Sequence, residues 1–444
     1  MRFIVLILCS SVLLAGAEPA AEEKAELTLA EAVQIAVKRY PDVEKARAAA
    51  DQLKGKIREV RADALPDVKI GSFMDRLRDP SLLNASGLDN FPVELRSALV
   101  PVGVNLFDYG VTVKQPLYSA GKVGTALRLA SIEAEGSLVN IDRAEQDISL
   151  AVVRAFYNLL WAERYLKVVE ETQGQKKAHA EMARTLFKNG VATEVDVLRS
   201  EVTVANGEAD LVRARNEIRH SRALLNHYLV RPIDFPTKVL GDFEARPPES
   251  TVIETLAKEA ARRRPELIRL RIAERSADAQ IQLARAESRM KLDFTGAYGV
   301  TSRLPSNLVN KEFVRWNVGV NFTLPVFDGF RRSGLVWQAT AVARQARLER
   351  EKMEQKVRLD LQQALDDIRA ADETVTAARS NVTQAEKVLT MMQNNYKFGA
   401  ATTLDIVDSQ AALSVARTNL LRGLHDHSVA RANLRWIMGA QPWE

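Results

Sequence analysis

The stretch YKFGAATTLDIVD, from Tyr396 to Asp408, gathers a phenol, two threonine hydroxyls and two carboxylates. Asp405 and Asp408 lie one helical turn apart and so share a face. Carboxylates grouped in this way favour cations and repel anions. A near copy, FKNGVATEVDVL, begins at Phe187, and its Gly190 precedes Gly399 by 209 positions. Each glycine follows a helix end that carries a lysine, Lys188 or Lys397, which suits a left-handed C-cap and the helix dipole. Thr193 and Thr402 fit N-caps, and Asp196 and Asp405, three positions on, complete capping boxes. A hairpin between antiparallel helices explains these residues. Asp196 and Asp405 could be turn residues alone or could also carry a function beyond the turn. Asp408 is different: its counterpart is Arg199, so the turn does not demand it.

No other constellation suggests an enzyme. There is no Walker-type glycine loop and no helical metal-binding motif, so no catalytic, cofactor-binding or metal-binding residue is expected. Of the five histidines, His425 and His427 are two apart and do not share a helix face, whereas His220 and His227 could. Together with His179 they read as surface or seam positions. The one cysteine, Cys9, lies within the N-terminal stretch MRFIVLILCSSVLLAGAEPA. That stretch has one arginine, an apolar run from Phe3 to Leu14, and a small-residue pattern ending at Ala17. It reads as a secretory signal peptide over residues 1–17. Cys9 comes early and follows Leu8, so lipidation is not expected. A mature chain without cysteine suits an oxidising compartment.

These residues must be positioned by long helices and a few strands. Charged residues make up 27% and aromatics 6%, a balance that favours extended helices. The net charge of +5 comes from interleaved signs, with no basic block, so nucleic acid is not an expected partner. After the signal no run of 18 apolar residues occurs, and any membrane crossing would have to be a β-barrel.

The chain repeats itself. YPDVEKARAAADQLKGKIREVRADALPDVKIGS, from Tyr40, parallels RPELIRLRIAERSADAQIQLARAESRMKLDFTG, from Arg264, and Pro41 pairs with Pro265 at an offset of 224. VTVKQPLYSAGK parallels VNFTLPVFDGFR, and Pro116 pairs with Pro325 at 209. The first copy therefore carries 15 extra residues, assigned to the loop DPSLLNASGLDNFPVE. A first repeat is expected over 18–230 with a β-hairpin near 66–118. A packed, irregular linker should follow over 231–252, and a second repeat over 253–444 with a hairpin near 290–327.

Strict alternation marks the strands. Trp316, Val318, Val320, Phe322 and Leu324 form one face against Arg315, Asn317, Gly319, Asn321 and Thr323. Phe107, Tyr109, Val111 and Val113 oppose Asp108, Gly110, Thr112 and Lys114. Leu292, Phe294, Tyr298 and Val300 mark a third strand, and Val68 and Ile70 a weaker fourth. Four strands are too few to close a barrel. Between Lys122 and Asn189 there is no proline, enough for a helix of roughly 100 Å. A heptad seam runs through Val357, Leu361, Ala364, Ile368, Ala371, Val375, Ala378, Val382, Ala385, Leu389, Met392 and Tyr396. Leu138, Ile141, Ile148, Val152, Ala155, Leu159, Ala162, Leu166 and Val169 keep the same rhythm in the first copy.

The duplicated halves, the opening LTLAEAVQIAVKRYPDV, the junction LPVFDGFRRSG and the two G-x-x-T-x-x-D turns together resemble the TolC family of outer-membrane efflux proteins, over essentially the whole mature chain. QPLYSAGKVG in the first copy departs mildly from the fuller junction. The resemblance implies a mainly α fold with a β-barrel part. A homotrimer would pool its strands into one twelve-stranded outer-membrane β-barrel, continued by a periplasmic α-helical barrel. Its apolar face would meet lipid, and Asp108, Thr112, Lys114, Asn317, Asn321 and Thr323 would line the lumen. The 15-residue excess would be an extracellular loop.

The implied function is a passive exit duct for a periplasmic adaptor and an inner-membrane pump or ABC exporter, as in tripartite efflux or type I secretion. By the same resemblance, Asp405 and Asp408 would ring the periplasmic entrance. Tyr396 matches a family tyrosine that restrains the closed tip, and Asp196 an acidic residue that can bond to it. Ala401 stands where the family has arginine. The small apices, Gly190-Val191-Ala192-Thr193 and Gly399-Ala400-Ala401-Thr402, would dock the adaptor's helical hairpin. The competing reading is a periplasmic helical-hairpin adaptor or scaffold without a barrel. A cytosolic coiled coil is opposed by the signal sequence.

Overall fold

The computed structural model describes residues 24–78, 91–92, 94–95, 103–243, 252–287 and 289–443. The expected signal peptide and Cys9 lie outside them, as does almost all of the DPSLLNASGLDNFPVE loop. The chain runs β1 (Glu26–Leu27), α1 (Leu29–Arg39), α2 (Pro41–Ala62), β2 (Asp67–Arg78), β3 (Gly103–Tyr118), α3 (Lys122–Lys188) and α4 (Glu194–Tyr228). It then follows the same order through β4 (Lys238–Val239), α5 (Ile253–Arg263), α6 (Pro265–Ala286), β5 (Lys291–Ser302), β6 (Val314–Thr323), α7 (Arg331–Lys397) and α8 (Thr403–Ile437). Corresponding helices have equal lengths: 11, 22, 67 and 35 residues.

Proline sets the first break in each series. Pro41 and Pro265 open α2 and α6, and the residues before them, Tyr40 and Arg264, are extended. A residue preceding proline is pushed out of the helical region, so the helix must restart there. Each 67-residue helix is long enough for roughly 100 Å. Along α3 lie α2 towards the sheet and α4 towards the far tip; α6 and α8 flank α7 in the same way, and α3 also packs on α6 and α8.

Where the short helices meet, the core thickens. Ala32, Val33 and Ala36 of α1 pack with Val152, Phe156, Leu159 and Leu225. Leu256 and Ala260 of α5 pack with Leu361, Leu365 and Leu434 in the second copy. Fully burying the valine, leucine and phenylalanine side chains contributes about 1.5–3 kcal/mol each. The chain linking the halves joins this belt: β4 pairs in parallel with β1, Thr237 donates to Asn226 at 2.6 Å, and the Arg231 guanidinium stacks over Phe235 at 4.9 Å. The two-residue β1/β4 pairing is too short to show a period in the sequence.

The second-copy seam is buried at Val357, Leu361, Ala364, Ile368, Ala371, Val375, Ala378, Leu389 and Tyr396. In the first copy Ile148, Val152, Ala155, Leu159, Ala162 and Val169 are buried, but Leu138 is 54% exposed. Ile132 and Gly136 make the contact instead, against Ile272 and Arg269 of α6. A straight helix drifts about 20° per heptad against a 3.5-residue repeat. The stripe that serves α4 therefore does not extend to the stretch of α3 facing α6.

The long strands form one antiparallel sheet in the order β2-β3-β5-β6. The β3–β5 pairing joins the two copies. Its register puts Thr112 beside Ala297 and Asn317, Lys114 beside Thr295, Asn321 beside Asp293, and Thr323 beside Lys291. The predicted polar residues thus share one face. The opposite face carries Ile70, Tyr298, Trp316, Val318, Val320 and Phe322, all exposed, with Ile70 at 85% and Trp316 at 72%.

Asp108 belongs to the polar face but is not an open carboxylate. It is 6% exposed, accepts two bonds from Arg315 at 2.7 and 2.8 Å, and accepts a third from Thr301 Oγ1. Arg315 crosses the row of Gly110 and Gly299, which are register partners. A Cβ on Gly110 would stand 2.7 Å from the Tyr298 carbonyl oxygen, so glycine permits the close strand approach.

Candidate gate and docking site at the helical tip

Both tip turns close by the same local bonds. After α3, Gly190 takes φ +76°, Val191 N donates to Leu186 O and Gly190 N to Phe187 O, both at 2.9 Å. After α7, Gly399 takes φ +73°, with Ala400 N donating to Asn395 O at 2.9 Å and Gly399 N to Tyr396 O at 3.1 Å. This is the paired-bond C-cap in which a left-handed residue turns the chain off the helix. The capping boxes are both present, with Thr193 Oγ1 and Thr402 Oγ1 each 2.7 Å from Asp196 Oδ2 and Asp405 Oδ2. The Thr193 hydroxyl, with its amide and Thr403 adding, holds the Asp196 carboxyl below the usual range. For Asp405 the Thr402 amide does most of this, then the hydroxyl.

The two hairpins meet through the second copy's tyrosine. Tyr396 is 8% exposed, and its hydroxyl lies 3.1 Å from Thr403 Oγ1. Thr403 also helps to hold the Asp196 carboxyl low, which places its hydroxyl near that carboxylate as well as against Tyr396. The expected Tyr396–Asp196 bond is not formed: the tyrosine hydroxyl meets Thr403, and Thr403 rather than Tyr396 is the group near the Asp196 carboxylate. A cavity of about 250 Å³ lies beside it between α3, α7 and α8. Asp405 and Asp408 are exposed on successive turns of α8.

The apices are exposed at Gly190, Val191, Thr193, Gly399, Ala400 and Thr402, and half-buried at Ala192 and Ala401. Val191 is 70% and Phe398 87% exposed. Phe398, Thr403 and His179 are absent from the residues expected at this site. Phe398 sits just past a helix end, where solvent exposure is the rule. Thr403 differs from its counterpart Glu194, and that contrast was the available signal. His179 was read as surface or seam and is buried at the seam.

A model of the outer membrane efflux protein family matches residues 32–229 and 256–440. The chain is 23% identical over 416 residues to outer membrane protein TolC of Escherichia coli strain K12, covering 90% of this chain and 79% of that one. It is 23% identical over 346 residues to the alkaline protease secretion protein AprF of Pseudomonas aeruginosa, covering 74% and 69% respectively. The crystal structure of the outer membrane protein VceC from Vibrio cholerae superposes with a TM-score of 0.75 at 18% identity, covering 93% of this chain and 96% of that one. The chain belongs to the outer membrane efflux protein family. Relatives of this chain are named for the outer membrane and for protein secretion.

Proposed function

We propose that three copies of this chain form the exit duct through which a periplasmic adaptor and an inner-membrane pump or ABC exporter discharge substrates. The observation that carries this is the four-stranded sheet: apolar on one face, polar on the other, and continuous with helices of roughly 100 Å. Among the described residues β2 and β6 each pair on one side only, leaving two edges. Three such sheets joined edge to edge would make twelve strands, enough to close around water. Strands of 10 to 16 residues suit a tilted crossing of the hydrocarbon layer. Exposed Phe327, Phe330 and Trp337 at the sheet-to-helix junction suit its interface with outer-membrane lipid.

In this reading Thr112, Lys114, Asn317, Asn321 and Thr323 line the lumen, with Asp108 neutralised by Arg315. The tip is the periplasmic entrance: Asp405 and Asp408 form its carboxylate rings, Tyr396 and Asp196 restrain it, and the apices 190–193 and 399–402 receive the adaptor. The exposed apolar sheet face argues against an adaptor without a barrel. Heat-modifiable mobility and a cross-linked trimer from the membrane fraction, with single channels in planar bilayers, are the expected results. A monomer that stays soluble and conducts nothing would overturn the proposal.

A further inference from the structure

The contact chain at the tip does not end at Tyr396. Its ring meets the imidazole of His179 on α3, edge-on, with 5.2 Å between centroids. His179 is 7% exposed, and its Nε2 has no hydrogen-bond partner. It borders the cavity with Gln175 of α3, Lys397 of α7, and Ile406 and Gln410 of α8. Around it, α7 brings Lys397 to the same cavity and α4 brings Asp196, while the cavity residues of α8, Ile406 and Gln410, are uncharged. Burial pushes the imidazole below its usual value, and Asp196 pulls it part of the way back.

We propose that His179 is the proton-sensitive member of the Asp196–Thr403–Tyr396 latch, and that a proton on its imidazole parts the α7/α8 hairpin from α3 and opens the tip. The proposal rests on the restraint reading given above. A charged imidazole in the seam would hold an N–H without an acceptor, in a cavity that Lys397 also lines. Moving apart lets water reach it. The open tip therefore binds the proton more tightly than the closed tip. Closure is at full strength above the free-imidazole value of about 6.5 and weakens as the pH falls below it. Each pKa unit between the two states shifts the opening equilibrium about tenfold. The Thr193 hydroxyl and amide hold the Asp196 carboxyl below the usual carboxylate range, so its loss of charge belongs to a separate, more acidic window.

Conductance of the full chain in planar bilayers at pH 7.5 and 5.0 tests this. Wild type should rise about threefold or more on acidification. His179→Gln should be flat, and so should His179→Phe, which keeps the ring contact. A flat wild type, or a rise that persists in both His179 variants, overturns the proposal. Tyr396→Phe should conduct more than wild type already at pH 7.5. If it does not, the restraint reading itself fails, whatever the His179 variants do.

Discussion

The turns at Gly190 and Gly399 are built alike and placed in different surroundings. Both use a left-handed glycine, a threonine N-cap and an aspartate at the third position, with matching bonds. Ser200 and Ser409 even repeat the same back-bond, to Asp196 O at 2.8 Å and Asp405 O at 2.6 Å. The copies part at positions the turn does not use. Tyr396 points into the seam while Phe187 is 45% exposed. Thr403 replaces Glu194, Asp408 replaces Arg199, and buried His179 corresponds to exposed Val388. The difference teaches that closing a hairpin and joining it to its neighbours are separable tasks. Duplication leaves the first in both copies and lets the second settle in one.

The largest effect expected from testing this contrast is at the apices. A single bulky charge, Ala192→Arg or Ala400→Arg, should abolish efflux in a complemented deletion strain while the protein still reaches the membrane. Resistance retained by only one of the two would mean that one copy alone docks.

Next is the latch. Tyr396→Phe combined with Asp196→Ala should raise bilayer conductance about fivefold, the weight of one hydrogen bond of about 1 kcal/mol. Phe187→Tyr, at the equivalent place, should change nothing. Equal responses would make the copies equivalent and remove the latch.

A smaller shift is expected for ion preference. Asp408→Asn should move the reversal potential in a salt gradient towards zero, because a carboxylate facing the entrance favours cations. An identical reversal potential would exclude Asp408 from the pore.

The smallest effect is the one on which the copies should agree. Thr193→Ala and Thr402→Ala should each cost about 1 kcal/mol, read as a matching loss in thermal stability. Unequal losses would mean that the turns are not the same device.

Much of the fold could be read from the chain because it rests on short-range rules. The tip caps follow from side chains three positions from the amides they satisfy. The strand faces follow from a period of two, and the helix lengths from where proline and glycine fall. Leu138 shows the limit: it keeps the heptad rhythm that predicts a seam position, yet the partner changes along α3 and the residue faces solvent. The polar face of the sheet was legible at Asp108, but the guanidinium that neutralises it comes from 207 positions away.

The sequence by itself determined the duplication, the long helices, the two capped turns and the two-faced strands, since each is decided among residues a few positions apart. Only the tertiary structure decided that Asp196, Thr403, Tyr396 and His179, from four different helices, meet in one contact chain. The same holds for Arg315, which reaches Asp108 over a pair of glycines. Such meetings depend on the register between distant segments. That register is set by the packing of whole helices and strands against one another, which no local pattern encodes.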